Sequence, residues 1–377
     1  MRLWPFRRRV PPPLPADDLL VTEERLRHAA DGVLVVHERQ IRGPVIVFRG
    51  ALQVDPARAV DTLLARFGAF GYTPFLRAER DGAVVVQAWP LGDMTQPARP
   101  LLNLGLFLLT ALSTLAAGAL LSGAVALGSP LSWIRAGGPF AVTLLAILGV
   151  HEFGHYFTAR YYRAAVSLPY FIPAPPPLFL FGTLGAIIRM RSPARDRNSL
   201  FDIAATGPLA GLAVAVPAIV LGLGWSVVAP VPPGEFLRFG DPLLMRWLVY
   251  LKFGVINEGM DVFIHPVALA GWVGLFVTAL NLFPVGQLDG GRIAYALLGR
   301  HHRALGIATF VSLLALGGIT GSPNWFFWAA LLFFLVGFHH GAPVDDLTPL
   351  TRGRRVLAIV CLILLVVLIP PIPISFG

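Results

Sequence analysis

Hydrophobic and polar positions divide the chain into two parts of different character. In residues 17–90, short stretches mix apolar and polar residues. Apolar residues at helical spacing, together with the start signal Asp55-Pro56, predict helices at residues 17–30 and 55–70. Stretches rich in branched and aromatic residues predict strands at residues 33–36, 44–48, 72–78 and 83–89. The last two flank Asp81-Gly82, a hairpin signal, and Pro74 predicts an edge position for the first of them.

Long apolar stretches replace this alternation from residue 101 onwards. A helix of about 20 apolar residues is long enough to cross the hydrocarbon core of a bilayer. On this basis the sequence predicts membrane spans at residues 101–127, 139–162, 203–223, 266–283, 304–319, 325–338 and 356–369. Residues 167–191 carry prolines and glycines that predict an extended or re-entrant segment, whereas residues 225–263 are polar enough to lie outside the bilayer.

Composition supports this division, since 55% of the residues are hydrophobic and only 14% are charged. We therefore expect a polytopic α-helical membrane protein with a small N-terminal α/β soluble domain. The expected domains are residues 1–98, a cytoplasmic α/β domain with a basic tail, and residues 99–377, a membrane-embedded domain. The single cysteine, Cys361, excludes an intramolecular disulfide and a cysteine-based metal cluster.

The net charge of +9 has two possible explanations, nucleic-acid binding and membrane topology. In a membrane protein, positive loops and anionic lipid head groups explain it better, so we expect the lipid bilayer as a partner and no nucleic acid. Arginines crowd the connections at residues 160–163, 189–197, 292–303 and 352–355. Counted along the predicted spans, these connections and the N-terminal domain fall on one side, which the positive-inside rule makes cytoplasmic. We expect an integral protein of a prokaryotic cell membrane with a cytoplasmic N-terminus.

The first candidate for chemistry is His151-Glu152-Phe153-Gly154-His155, an HExxH motif inside an apolar run. Histidines one helical turn apart face the same way and can hold one zinc ion, and Glu152 beside them can take a proton from a zinc-bound water. The alternative is a chance match whose histidines are satisfied by hydrogen bonds in a core. The membrane setting, where ionisable groups are costly, and a second motif favour the zinc site.

The second motif runs from Asn281 to Gly291, with the sequence NLFPVGQLDGG, and follows an apolar span. Zinc held by two histidines needs a third protein ligand, and Asp289 is the best candidate by chemistry and setting. Pro284 and Gly286 break the helix and can turn the carboxylate inward, while Gly290 and Gly291 allow close packing of the backbone. The alternative is that Asp289 caps a helix at residues 290–298.

Taken together, HEFGH and NLFPVGQLDGG resemble the site-2 protease family of intramembrane zinc metalloproteases. The resemblance covers most of residues 100–300 and includes GTLGA at residues 182–186 and GPLAG at residues 207–211, whose small residues also allow close helix packing. It implies that His151, His155 and Asp289 bind Zn²⁺ and that Glu152 is the general base. It further implies that Asn281 positions the substrate or the developing oxyanion.

The resemblance implies a metalloprotease that hydrolyses peptide bonds within or near transmembrane segments of membrane-protein substrates. A helical substrate must unwind locally, and residues 182–185 can offer an extended edge to pair with it. Many members of the family carry a PDZ domain, for which residues 225–263 are too short. Two alternatives remain, a membrane-bound zincin with a site facing the cytoplasm and a metal transporter. A transporter would need metal ligands along a pathway through the membrane. His301-His302 and His339-His340 could supply such ligands, but they lie at segment ends, which argues against this role.

Overall fold

The structure, a computed structural model, forms two compact units. It describes residues 16–79, 81–91, 99–123, 129–176, 179–231, 234, 237–333, 342–370, 372 and 374–376. The N-terminal unit comprises the described residues of Met1–Gln96, Arg191–Leu200 and Gly341–Leu350, and the membrane unit comprises those of Pro97–Met190, Phe201–His340 and Thr351–Gly377. The predicted basic tail at residues 1–15 lies outside the described residues.

The N-terminal unit begins with two helices and four strands that overlap the predicted ones, although the first two strands extend several residues further than predicted. Its elements are α1 (Ala16–Ala29), β1 (Leu34–Arg42), β2 (Val45–Leu52), α2 (Pro56–Gly68), β3 (Thr73–Ala78) and β4 (Val84–Trp89). Asp55 caps α2 through a hydrogen bond from the Arg58 backbone N–H, as its place before Pro56 predicts. The strands form an antiparallel sheet in the order β1-β2-β4-β3, so the prediction of an edge position for the strand with Pro74 is confirmed.

One face of this sheet packs against the two helices. Phe48 of β2 and Phe67 of α2 are fully buried, and their rings meet edge to face with centroids 6.3 Å apart. The edge of β3 is covered by a later segment, because the Leu76 backbone bonds the backbone of Val344 and Asp346. Residues 194 and 195 bond the other side of that segment. The two later segments therefore complete the sheet edge, which explains why they belong to this unit.

The membrane unit is built from apolar helices joined by short strands. The described helices are α3 (Pro100–Leu121), α4 (Pro130–Tyr161), α5 (Arg197–Gly224), α6 (Leu243–Phe253), α7 (Pro266–Asn281), α8 (Asp289–Leu298), α9 (His302–Thr320), α10 (Pro323–Leu331) and α11 (Arg352–Leu368). α5 begins in the N-terminal unit. Among the described residues, α3, α4, α5 and the stretch Asp289–Thr320 are long and apolar enough to cross a membrane, and Pro266–Asn281 is a shorter apolar helix. A mostly helical chain with such segments fits a membrane protein.

Helix α4 differs from its prediction in its starting point. The sequence predicts a span from residue 139, whereas the helix begins at Pro130 and continues through Pro139. The reason is a stronger start signal upstream, since the Ser129 side chain accepts a hydrogen bond from the Ser132 backbone N–H and Pro130 occupies the first turn. The last part of the predicted span at residues 325–338 lies outside the described residues.

Pairs of short strands connect the helices of the membrane unit. β5 (Tyr170–Pro173) and β6 (Thr183–Ile187) form an antiparallel pair, so the prediction of an extended segment at residues 167–191 is confirmed. β7 (Val227–Pro230) pairs with β9 (Met260–Phe263), and β8 (Leu237–Phe239) pairs with β10 (Ile374–Phe376). The pairing of β8 with the C-terminal strand has no counterpart in the sequence patterns.

Candidate active site

Helix α4 carries the HExxH motif on a buried face. His151 and His155 are each 3% exposed and Glu152 is 5% exposed, which is unusual for ionisable side chains. The two histidines are one turn apart, and their Nε2 atoms lie 3.2 Å from each other. The motif thus presents two imidazole nitrogens to one point inside the membrane unit.

Asp289 reaches the same point from the opposite side. Its Oδ2 atom lies 3.1 Å from Nε2 of His155 and 3.5 Å from Nε2 of His151. The turn between α7 and α8, with Gly286 in the left-handed region at a φ of 53°, brings Asp289 there. Asp289 is the first residue of α8 and the cap position belongs to Leu288, so the alternative of a helix-capping aspartate is wrong. Among the described residues, these three are the group with metal-ligating geometry.

Two glycines make this turn possible. A methyl group at Gly290 would overlap the Leu282 carbonyl, and one at Gly291 would overlap the Gly286 carbonyl. The predicted role of these glycines in close backbone packing is confirmed. Any larger residue would push the start of α8, and with it the Asp289 carboxylate, away from the histidines.

The three donor atoms fit a metal ion by their spacing. Around a tetrahedral ion with bonds of about 2.0–2.1 Å, donor atoms lie about 3.3–3.4 Å apart. The three distances of 3.1, 3.2 and 3.5 Å agree with that value. The donor set of two imidazoles and one carboxylate suits Zn²⁺.

A backbone carbonyl of α5 determines which nitrogen of His155 faces the site. Nδ1 of His155 lies 2.6 Å from the Ile203 carbonyl oxygen, which can only accept a hydrogen bond. Nδ1 therefore carries the proton, and neutral His155 turns the lone pair of Nε2 towards Asp289 and His151. Nε2 is therefore the nitrogen left to bind a cation shared with Asp289 and His151.

Small residues bring α5 this close to α4. A methyl group at Gly207 would overlap the His155 ring, and one at Gly211 would lie 3.2 Å from His151 Cβ. A methyl group at Gly154 would lie 2.8 Å from the Thr206 carbonyl oxygen. The close helix approach predicted for the stretch at residues 207–211 is confirmed. That Gly207 lies against His155, and that Ile203 supplies a carbonyl, could not be found from the sequence.

Glu152 and Asn281 complete the predicted set. The Ile188 backbone amide lies near the Glu152 carboxylate. Oε2 of Glu152 is buried and has no hydrogen-bond partner among the described residues. Nδ2 of Asn281 lies 3.3 Å from Nε2 of His151. The structure thus brings together all five residues that the sequence singled out: His151, Glu152, His155, Asn281 and Asp289.

The β5–β6 hairpin lies beside Glu152 and is held by helix α3. The Asn103 side chain donates to the carbonyls of Leu168 and Pro169, and the Ser113 hydroxyl donates to the Gly182 carbonyl at 2.6 Å. β6 pairs with β5 on one edge, and within the described residues no strand pairs with its other edge. α3 thus fixes both ends of the hairpin, and β6 packs against α4, which carries the candidate base.

An apolar groove lies between parts of α3 and α4 next to β5. It has a volume of about 530 Å³, and its lining includes Leu104 and Phe107 of α3, Val150 and Phe153 of α4, and Phe171 of β5. Val150 and Phe153 directly flank His151 and Glu152 in the chain. The groove therefore runs along the same stretch of helix that carries the candidate site.

Comparison with known protein families gives a match over this region. Residues 139–319 match the family described as "Peptidase family M50". This region is similar to peptidase family M50. The match confirms the resemblance to the site-2 protease family, and it includes both motifs and the helices that carry them.

The similar curated proteins come from plants. The chain is 36% identical to "Probable zinc metalloprotease EGY2, chloroplastic" of Oryza sativa subsp. indica over 207 residues, 52% of this chain and 35% of the relative. It is 29% identical to the Arabidopsis thaliana EGY2 protein over 364 residues, which are 92% of this chain and 63% of the relative. It is 32% identical to the Arabidopsis thaliana EGY1 protein over 243 residues, which are 62% of this chain and 43% of the relative. The chain thus spans between about a third and two thirds of the length of these relatives. No solved structure matches the chain.

Proposed function

We propose that the protein is an intramembrane zinc metalloprotease that cleaves peptide bonds within or near transmembrane segments of other membrane proteins. The observation that carries the proposal is the convergence of His151, His155 and Asp289, with donor atoms 3.1–3.5 Å apart in a buried place. The relatives' names describe zinc metalloproteases, which agrees with this donor set. In this proposal His151, His155 and Asp289 hold the ion.

When bound, zinc would polarise the scissile carbonyl and lower the pKa of a coordinated water. Glu152 has the position of a general base, since it is next to His151 in the motif and one of its carboxylate oxygens is free of hydrogen bonds among the described residues. It takes a proton from the attacking water and passes it to the leaving amine. Asn281, beside His151, is placed to orient the substrate carbonyl or to donate to the developing oxyanion.

Substrate binding in this proposal uses the free edge of β6. A transmembrane helix hides its peptide bonds, so the scissile segment must unwind, and an unpaired strand edge can hydrogen-bond the unwound backbone. Ile188, whose amide lies near Glu152, directly follows β6, and β6 packs against α4, so a strand added to β6 would lie close to the base. The apolar groove between α3 and α4 suits the part of the substrate that stays helical.

The fold class and topology belong to the same proposal: a polytopic protein whose N-terminal α/β domain, residues 1–98, is soluble and cytoplasmic, with residues 99–377 as the membrane-embedded protease domain. Because residues 191–200 and 341–350 form one unit with the N-terminal sheet, all three must lie on one side of the bilayer. The two spans α3 and α4 carry the chain across the bilayer and back, so residues 191–200 return to the side of the N-terminal sheet. The arginine excess of the connections agrees with this arrangement. The comparisons give the expected prokaryotic cell membrane no support, since the relatives are chloroplastic plant proteins.

Single-cysteine labelling tests this topology. With Cys361 replaced, a cysteine at Arg195 or Pro349, which are both accessible, should react with a membrane-impermeant reagent from the side of the N-terminus. A cysteine at Val255, which is 84% exposed in the connection between α5 and α7, should react from the opposite side. Labelling of all three positions from one side would contradict the topology.

The alternative of a metal transporter has less support. A transporter would place further ligand groups along a pathway, and the described residues contain one such group. His265 caps α7 by accepting from the Val267 N–H, and His302 Nδ1 bonds the Gly299 carbonyl. His339 and His340 lie outside the described residues.

The decisive experiment uses the purified full-length chain in lipid nanodiscs. We expect about one zinc per chain and cleavage of a reporter protein with a single transmembrane segment. Chelation by 1,10-phenanthroline should stop cleavage, and added Zn²⁺ should restore it. Stoichiometric zinc without cleavage of any member of a reporter panel, combined with zinc uptake into vesicles, would favour the transporter instead. A chain that binds no zinc would contradict both functions.

A further inference from the structure

A second cluster of polar side chains joins three helices of the membrane unit. Arg354, near the start of α11, donates from Nε to Oδ1 and from Nη2 to Oδ2 of Asp202, both at 2.7 Å. The Tyr162 hydroxyl, at the end of α4, donates to the same carboxylate, and Arg354 Nη2 lies 3.3 Å from the Tyr162 oxygen. We call Arg354, Asp202 and Tyr162 the α11 clamp. It connects helices that are far apart in the chain.

The α11 clamp is one residue away from a group of the candidate site. Asp202 precedes Ile203, whose carbonyl accepts the Nδ1 proton of His155 at 2.6 Å. Tyr162 follows His155 by seven residues, which is about two turns of α4 and the same helix face. The carboxylate therefore fixes α5 and the end of α4 relative to each other at the turn where α5 contacts a proposed zinc ligand.

The geometry of the clamp makes it more than an ordinary surface ion pair. The side chains of Arg354 and Asp202 are 34% and 21% exposed, and the guanidinium grips the carboxylate with two parallel hydrogen bonds. Bidentate charge-assisted pairs of this kind are strong and directional. Removal of one partner leaves a half-buried charge uncompensated, so the helices are expected to shift to solvate it.

We propose that Arg354, Asp202 and Tyr162 are positioning residues that hold the Ile203 carbonyl against His155 and thereby set how firmly the site keeps its zinc. This inference rests on the proposed function. It assigns part of the site to α11, which lies outside residues 139–319 that match the peptidase family. Partners that orient a histidine ligand through its second nitrogen commonly change metal affinity by about 10- to 100-fold.

The test measures the rate at which a chelator removes zinc from the full-length protein in nanodiscs. Asp202→Asn keeps the size of the side chain but removes its charge. Arg354→Gln removes the guanidinium group and with it the two hydrogen bonds to Asp202. We expect each variant to release zinc about tenfold faster or more than the wild type, in line with that range. Tyr162→Phe, which leaves the ion pair in place, should have a smaller effect in the same direction.

Two matched controls separate positioning from general destabilisation. Arg355→Gln removes an exposed arginine from the same turn of α11. Arg197→Gln breaks another Arg–Asp pair, Arg197 with Asp346 at 2.8 Å, whose partners lie in the N-terminal unit. Both controls should release zinc at the wild-type rate, although Arg197→Gln should lower the thermal midpoint as the clamp variants do.

The outcomes are distinct. Wild-type release rates in folded Asp202→Asn and Arg354→Gln proteins overturn the inference, and so does release that is equally fast in Arg197→Gln. If Asp202→Asn and Arg354→Gln fail to fold, Tyr162→Phe decides alone. Absence of zinc in the wild type would instead contradict the proposed function, which the other results leave intact.

Discussion

The two units treat ionisable side chains in opposite ways. In the N-terminal unit they lie mostly at the surface and pair with each other, as Arg49 does with Glu38, Glu79 and Asp81. In the membrane unit, four buried ionisable residues meet at one place: His151, Glu152, His155 and Asp289. Burial of ionisable groups costs free energy in both units, but only the membrane unit concentrates that cost at a single site.

The difference in burial of ionisable groups indicates which unit contains the active site. The polar groups of the N-terminal unit can be explained by solubility and by local pairing, and such surface pairs contribute about 0–1 kcal/mol each. The buried group in the membrane unit has no such explanation, because its donor atoms face each other. Substitutions in the two units should therefore have effects of different kinds, on activity in one and on stability in the other.

The largest effect is expected at the proposed base. Glu152→Gln keeps the shape of the side chain but removes its ability to accept a proton, so kcat should fall by about 100-fold or more. Zinc content should stay at the wild-type level, since Glu152 is not among the three converging donors. Near-normal turnover of a transmembrane reporter by this variant would remove Glu152 from the mechanism.

The third ligand gives the next largest effect. Asp289→Ala removes a donor from a three-donor site, so zinc per chain and reporter cleavage should both fall strongly, about 100-fold for cleavage. Asp289→Asn keeps an oxygen donor but loses the charge and should retain more zinc than the alanine variant. Elemental analysis of both proteins checks this order. Full zinc and full activity in both would require a different third ligand.

A core substitution in the N-terminal unit should lower stability and leave the zinc content unchanged. Phe48→Ala removes a fully buried ring that packs on Phe67, and such changes cost about 3–5 kcal/mol of stability. Pulse proteolysis of the full chain should show earlier unfolding of residues 34–89, whereas the zinc content should not change. Val35→Ala, at a position that is 42% exposed, is the matched control and should cost far less. Loss of zinc in Phe48→Ala would show that the two units are energetically coupled.

The smallest effect concerns the support of the hairpin by α3. Ser113→Ala removes the hydrogen bond to the Gly182 carbonyl, worth about 1 kcal/mol, so kcat/KM should fall about fivefold while zinc stays bound. Thr110→Val removes a hydroxyl that bonds only the Leu106 carbonyl of its own helix, and it should leave kcat/KM unchanged. Equal loss in the two variants would mean that any buried hydroxyl of α3 matters, and not the contact with the hairpin.

Local signals in the sequence predicted much of the fold and the residues of the site. The caps and turns of the N-terminal unit follow from Asp55-Pro56 and Asp81-Gly82, and the two motifs name side chains that do converge. These successes share a cause: spacing along one helix and the chemistry of a donor set are properties of short stretches. The proposed roles of these residues stay predictions.

Contacts between distant parts of the chain were not predictable in this way. The Ile203 carbonyl is a backbone group and carries no signal in the sequence. The pair of Arg354 with Asp202 joins residues whose separation no helical period relates, and β8 pairs with β10 near the C-terminus. The sequence signal at Pro139 predicts too late a start for α4, because a proline inside an apolar helix is tolerated when neighbouring segments compensate.

The covered edge of β3 has a consequence for the time course of biosynthesis. Leu76 and Val344, which are hydrogen-bonded, are 268 residues apart (344 − 76). At a synthesis rate of about 5–20 residues per second, β3 emerges about 13–54 s before the segment that covers it. During that interval the strand is open to wrong partners, and only its short length and Pro74 protect it. The N-terminal sheet is therefore finished only after the ribosome has delivered both segments that carry the proposed active site.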